Sequence, residues 1–187
     1  DASYRNATDT PLTKEGVEKW VQDTYRENAA TILATYRKVY PNATPFQIQA
    51  RISTDAGGRK NATTMVERKS ELNKGKAYLY MMEWASPAFE GRFESCHGVD
   101  LGLIMANPRN PIAGNNAEAR KMAEIVGSAI IAFGKTGDPN CDKIPYWPAY
   151  DKQNRPTMIF NTECRVENDP TKELRALWEN IRIQPRT

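Results

Sequence analysis

The sequence predicts an α/β protein, mostly helical with a few short strands, on three observations. Apolar residues recur at three- and four-residue intervals through much of the first 75 positions and again from Ala117 to Thr136, the spacing of amphipathic helices. Between these stretches, Tyr78-Leu79-Tyr80-Met81-Met82 is an unbroken apolar and aromatic run. It is bounded by Asn73-Lys74-Gly75 and Trp84-Ala85-Ser86-Pro87, as expected of a strand buried on both faces in a sheet covered by helices. The single histidine of the 187 residues, His97, follows on a loop beyond the carboxyl end of that run, where open α/β folds place working residues.

Taken in order, Thr13 suits the N-cap of a first helix, with Pro11 before it. Val17, Trp20, Val21 and Tyr25 line one side and Lys14, Glu15, Glu18, Lys19 and Asp23 the other. A second helix from about Asn28 to Val39 carries Ile32, Leu33, Tyr36 and Val39, and Pro41 ends it. Thr44-Pro45 opens a third with Phe46, Ile48 and Ile52. After Gly57-Gly58 a longer helix is expected to about Leu72, with Met65, Val66 and Leu72 inward and Glu67, Arg68, Lys69 and Glu71 outward. These stripes read as packing faces.

The strand and the histidine loop follow, the loop opening at Ser86-Pro87 and Gly91. Leu101, Leu103, Ile104 and Met105 form a short segment, which Asn107-Pro108-Arg109-Asn110-Pro111 breaks, because proline disfavours helix at the residue before it. The helix from Ala117 to Thr136 turns Met122, Ile125, Val126, Ala129, Ile130 and Phe133 inward, and Gly127, Ser128 and Ala129 would let it lie close to the sheet. Gly137 suits its C′ position and Pro139 follows. Asp138 to Tyr150 reads as a Pro-rich loop. Met158-Ile159-Phe160 is a short strand, with Glu163 to Val166 as an antiparallel partner. Pro170 begins a last helix through Trp178, with Leu174 and Leu177 inward.

Composition sets bounds on function. The chain has one domain's length, 40% hydrophobic and 26% charged residues and a net charge of +3, all ordinary for a globular protein. No Lys/Arg run is interleaved with aromatics, so a nucleic-acid partner is not expected. No apolar segment approaches the roughly 20 residues that span a bilayer. Cys96, Cys141 and Cys164 are too few and too separated for a disulfide framework or a zinc cluster. Three free thiols, or one bridge between Cys141 and Cys164, both stay open. Asn-Ala-Thr triplets at Asn6, Asn42 and Asn61 would accept N-glycans on a eukaryotic secretory route and mean nothing in a bacterial protein, so location stays open between cytoplasm and outside. One histidine gives no ligand set for a metal, and Gly57-Gly58 and Gly98-x-x-x-Gly102 lack the Gly-Lys-Ser/Thr ending of a phosphate loop; neither metal nor cofactor is expected.

The stretch Tyr78 through His97-Gly98-Val99-Asp100 resembles the catalytic-histidine segment of type-B carboxylesterases, the cholinesterase-like branch of the α/β-hydrolases, with its bacterial para-nitrobenzyl-esterase members nearest. The shared order is an apolar strand, Trp-x-Ser-Pro, a glycine-bearing loop, His-Gly, an acidic residue two further on, and an apolar run. A second block, Trp147-Pro148-Ala149-Tyr150-Asp151, Arg155-Pro156-Thr157-Met158-Ile159-Phe160 and Asn168-Asp169-Pro170, resembles the family's C-terminal signature in order and spacing. The resemblance implies the C-terminal portion of an α/β-hydrolase fold. Residues 1–187 would form one segment, with a helical excursion over 1–75 and the last sheet strands, the histidine loop and the C-terminal helices over 76–187. In such folds the excursion roofs the site.

The resemblance also assigns chemistry. A serine hydroxyl is a weak nucleophile at neutral pH, so a histidine takes its proton as general base and returns it to the leaving alcohol as general acid. His97 takes that role, on a small-molecule carboxylic ester. A carboxylate on the other ring nitrogen holds the tautomer. Asp1-Ala2-Ser3-Tyr4 matches the pattern around the family's triad acid, with Asp in place of the usual Glu, and its separation from His97 falls within the family's range. Asp1 is thus the candidate acid; the same residue also reads as a terminal residue without a role, and both readings stay open. Asp100 is the rival carboxylate by proximity and is expected to cap backbone amides instead.

The nucleophile is not in the sequence. No Gly-x-Ser-x-Gly elbow occurs, and neither does a Gly-rich oxyanion loop. Ser95 cannot stand in, because an elbow serine approaches the imidazole from a separate strand. Loss of one oxyanion donor alone costs about 2.7–4 kcal/mol of transition-state stabilisation, so the chain alone is expected to be inert. Its expected partners are the N-terminal part of the same hydrolase or, through an exposed sheet edge, another copy of itself. The alternative is a non-catalytic binding or adhesion module on the same fold, which the missing serine and the three triplets favour and an intact His97 opposes.

Overall fold

The computed structural model describes residues 12–107 and 109–181. The chain divides into two compact units, one of residues 1–64 and 171–187, the other of residues 65–170.

The first unit is helical. Helix α1 (Lys14–Tyr25) starts where the Thr13 hydroxyl accepts the Gly16 amide at 3.0 Å, the cap its sequence predicts. A 3-10 turn, Arg26–Asn28, leads to α2 (Ala29–Val39). Helix α3 (Pro45–Thr54) opens with a capping box: Thr44 Oγ1 accepts the Gln47 amide and Gln47 Oε1 accepts the Thr44 amide. Val17, Val21, Ile32, Tyr36, Ile48 and Ile52 bury the faces the periodicity predicts, each such side chain contributing about 1.5–3 kcal/mol.

The longer helix expected after Gly57-Gly58 is present from Lys60. These glycines lie in a π turn, Asp55–Arg59, that carries α3 into α4 (Lys60–Glu71). The turn is held by its first residue. Asp55 is buried, accepts the Tyr36 hydroxyl at 2.6 Å and pairs with Arg59 at 3.1 Å, while Trp178 Nε1 donates to the same Tyr36 oxygen at 2.8 Å. Trp178 belongs to α7 (Lys172–Asn180), whose final carbonyls are met by Lys60 Nζ, donating to Trp178 O at 2.7 Å and Ile181 O at 3.0 Å. Leu174 and Trp178 are the buried residues of α7, and Leu177 is half-buried.

The inward face expected for α4 needs correction. Met65 and Leu72 are 72% and 63% exposed, and only Val66 is buried. Glu67, expected outward, turns in and pairs with Arg155.

The second unit holds the sheet. Strand β1 (Leu79–Met82) runs parallel to β2 (Pro156–Phe160), and β3 (Arg165–Asn168) pairs antiparallel to β2, in the order β1-β2-β3. The antiparallel partner is as expected, its bounds two residues later. The strand buried along its whole length is β2, whereas β1, expected to be covered on both faces, is half-buried throughout. Among the described residues β1 pairs with no strand but β2 and so stands at one edge of the sheet.

Helix α5 (Val99–Ile104) packs on α6 (Ala117–Thr136). Asn116 caps α6, and Gly137, at φ 76°, closes it in the left-handed region as its sequence predicts. Met122, Ile125, Val126 and Ala129 are buried with Trp84, Leu103, Met158 and Phe160. Phe133, expected inward, is 43% exposed yet packs edge-on against Tyr78 at 5.9 Å. Gly127 approaches the carbonyls of Leu103 and Ile104 rather than a strand. In the following loop Asn140 brackets Trp147, its side chain bonding that residue's amide at 2.7 Å and carbonyl at 2.9 Å. The three cysteines are unbridged and half-buried.

Candidate active site

The site is built outward from the carboxyl end of β1. The amides of Glu83 and Trp84 both donate to Phe160 O, at 2.9 and 3.0 Å, so the chain leaves the strand while still tied to β2. The Trp-x-Ser-Pro run then locks onto the segment Ile112–Glu118. Trp84, 1% exposed, donates its indole N–H to Glu118 Oε1 at 2.9 Å. The buried Ser86 donates its hydroxyl to Ile112 O and accepts the Ala88 amide at 3.0 Å. Pro87 lies against Gly114, where a Cβ would sit 2.5 Å from Pro87 Cγ; with φ +79°, this position admits glycine on two counts.

After a 3-10 turn, Ala88–Gly91, the loop folds back. The Ser86 amide donates to Glu94 O at 3.1 Å, and Ser95 Oγ donates to Met82 O, the end of β1, at 2.7 Å. The Val99 amide then donates to Cys96 O at 3.1 Å, with Gly98 at φ 81°, ψ 1°, the values a type II turn needs at its third residue. His97 stands at this turn, exposed, between the half-buried Cys96 and the first residue of α5. An exposed imidazole on a loop held by buried anchors can exchange protons with a reacting group brought to it.

Asp100 does not cap amides as expected. In the first turn of α5, it accepts the Tyr80 hydroxyl at 2.9 Å, and burial together with the Asp100 carboxylate pushes the Tyr80 phenol well above its usual range. Sequence reasoning missed Tyr80 as a polar contributor because its place in an apolar strand marks it as core. Asp1, the candidate acid, lies outside the described residues. Ser95 is occupied with the strand end, in keeping with its exclusion as nucleophile.

An open cleft of about 680 Å³ lies at the far end of α5, lined by Ala106, Asn107, Arg109, Asn115 and Arg120, and no residue of the histidine turn borders it. Among the described residues no cluster of three His, Cys, Asp or Glu could hold a metal ion, and no helix is long and apolar enough to cross a membrane.

Comparison with known proteins agrees with this geometry. The carboxylesterase EST55 of Geobacillus stearothermophilus superposes with a TM-score of 0.74 at 23% identity, over 95% of this chain and 36% of that one. The architecture is therefore part of an α/β-hydrolase fold. The model of the carboxylesterase family matches residues 2–178. Para-nitrobenzyl esterase of Bacillus subtilis is 31% identical over 143 residues, 73% of this chain and 28% of that protein. Carboxylesterase 4A of Bos taurus is 29% identical over 107 residues, 56% of this chain and 19% of that protein. The chain belongs to the carboxylesterase family and spans less than a third of the length of these two relatives.

Proposed function

We propose that this chain supplies the catalytic histidine of a serine carboxylic-ester hydrolase whose nucleophile is carried outside residues 1–187. The observation that supports this most is the placing of His97: exposed, at a type II turn anchored to the end of β1, in a chain of the carboxylesterase family. In the proposed reaction His97 takes the serine proton as the hydroxyl attacks the ester carbonyl, then delivers it to the departing alcohol; water completes the cycle with the same proton path reversed. Asp1 is the proposed orienting acid, by its resemblance to the family's pattern. The chain alone is inert in this reading, since nucleophile and oxyanion donors come from elsewhere.

The test uses the protein at the length at which it hydrolyses a para-nitrophenyl ester. His97→Ala is expected to lower kcat by at least about 10³-fold, in line with loss of a triad member. Turnover that survives the change would remove His97 from the mechanism. A rest-of-protein without a serine elbow would instead favour the binding module.

A further inference from the structure

We propose that Tyr80 and Asp100 are positioning residues for His97, a reading that rests on the catalytic assignment above. The histidine turn is tied to β1 on both sides. Ser95, two residues before His97, holds the main chain of the strand's last residue, Met82, at 2.7 Å. Asp100, three residues after, holds the side chain of Tyr80, two positions earlier in the same strand, at 2.9 Å. Between the ties only Cys96, His97, Gly98 and Val99 intervene, and they close on themselves through the Val99 amide and Cys96 carbonyl. Both anchors therefore refer the imidazole to one rigid element, while the ring itself stays exposed.

The two ties are not equivalent. The Ser95 bond is to a main-chain carbonyl and is independent of what side chains β1 carries. The Tyr80 bond is charge-assisted, its acceptor a carboxylate, and such bonds are the stronger kind. It also fixes the amino end of α5, the element that follows directly on Gly98. Tyr80 packs its ring edge-on to Phe160 at 5.6 Å, so its hydroxyl is aimed by the core rather than free to swing. Removing the hydroxyl alone leaves that packing in place, which separates positioning from stability.

His97 is the single histidine of the chain, so one imidazole signal and the amides of Cys96 to Val99 report the turn directly by NMR. Tyr80→Phe and Asp100→Ala are each expected to speed amide exchange across Cys96–Val99 about tenfold and to shift the imidazole signal, with little change in the unfolding midpoint. The double variant should be no worse than either single one. Asp100→Asn keeps an acceptor oxygen and should restore the wild-type turn. At the length at which the protein turns over ester, Tyr80→Phe should lower kcat several-fold with KM unchanged. Wild-type exchange and imidazole signal in both single variants would overturn the proposal, as would Asp100→Asn behaving like Asp100→Ala. If Asp100→Ala fails to fold, the Tyr80→Phe and Asp100→Asn results decide alone. Exchange that responds while His97→Ala leaves turnover intact would sink the catalytic reading and keep the mechanical one.

Discussion

Gly114 carries a structural duty that its place in a Gly-Asn-Asn sequence does not announce. It faces the Pro87 ring in a left-handed conformation, so Gly114→Ala meets both backbone strain and a contact that the rigid ring cannot relieve. The expected cost is at least about 1–2 kcal/mol, the strain term alone, read as a lower midpoint in thermal or denaturant unfolding. An unchanged midpoint would mean the Trp-x-Ser-Pro lock is slack. At this scale the sequence is legible where chemistry is local. Thr13, Thr44 and Gly137 announce their caps, and His97 stands out as a lone imidazole in a patterned loop. It is illegible where two distant residues meet. Tyr80 with Asp100, Trp84 with Glu118 and Pro87 with Gly114 are pairs 20 to 34 positions apart, set by how the loop folds back, and no periodicity encodes them.

Among the elements, the joint between α3 and α4 shows how one buried group can shape a turn. A Cβ at Gly57 or Gly58 would meet nothing within 4 Å, so neither glycine is needed for space. The turn is shaped by Asp55, Tyr36 and Arg59. Burial pushes the Asp55 carboxyl above its ordinary value near 3.8, with the Arg59 guanidinium and the Tyr36 bond pulling the other way. A carboxyl whose folded pKa is raised favours the fold fully below its unfolded value, and that contribution is lost as pH rises through the folded one. Wild-type stability, compared with Asp55→Asn, should therefore decline from about pH 4 upward, where Asp55 starts to ionise in the unfolded chain. Denaturant midpoints measured for both proteins from pH 4 to 7 check this, and parallel profiles would contradict it. The helix stripes before the joint are read correctly from sequence because 3.6-residue periodicity persists there. The stripe after it is misread because apolar type alone marked Met65 and Leu72 as core, whereas only Val66 finds cover.

For the molecule as a whole, the edge position of β1 sets its behaviour in isolation. Half-buried and apolar, β1 stands at one edge of the sheet, where a further strand could add, and exposed Met65, Leu101, Met105 and Tyr146 add apolar surface. Sedimentation velocity on the 187-residue chain is expected to show association that grows with concentration; a single monomeric species over a hundredfold range would contradict it. The fold class is legible at this scale because two sequence blocks carry it. The division into two units is not, since it joins residues 171–187 to residues 1–64 across more than a hundred intervening positions.

That closure has a consequence for synthesis. Residues 65–170 form a unit that is continuous along the chain and can begin to consolidate as soon as it leaves the ribosome. The cluster of Val21, Ile32, Tyr36 and Ile52 is completed only by Leu174 and Trp178, which are made more than a hundred residues later. The helices of the first unit therefore wait for Leu174 and Trp178 through translation of residues 65–170, at ribosomal rates an interval of several seconds. A nascent chain stalled before Leu174 is therefore expected to bind a holdase chaperone more than one released beyond Trp178, and equal binding would contradict this.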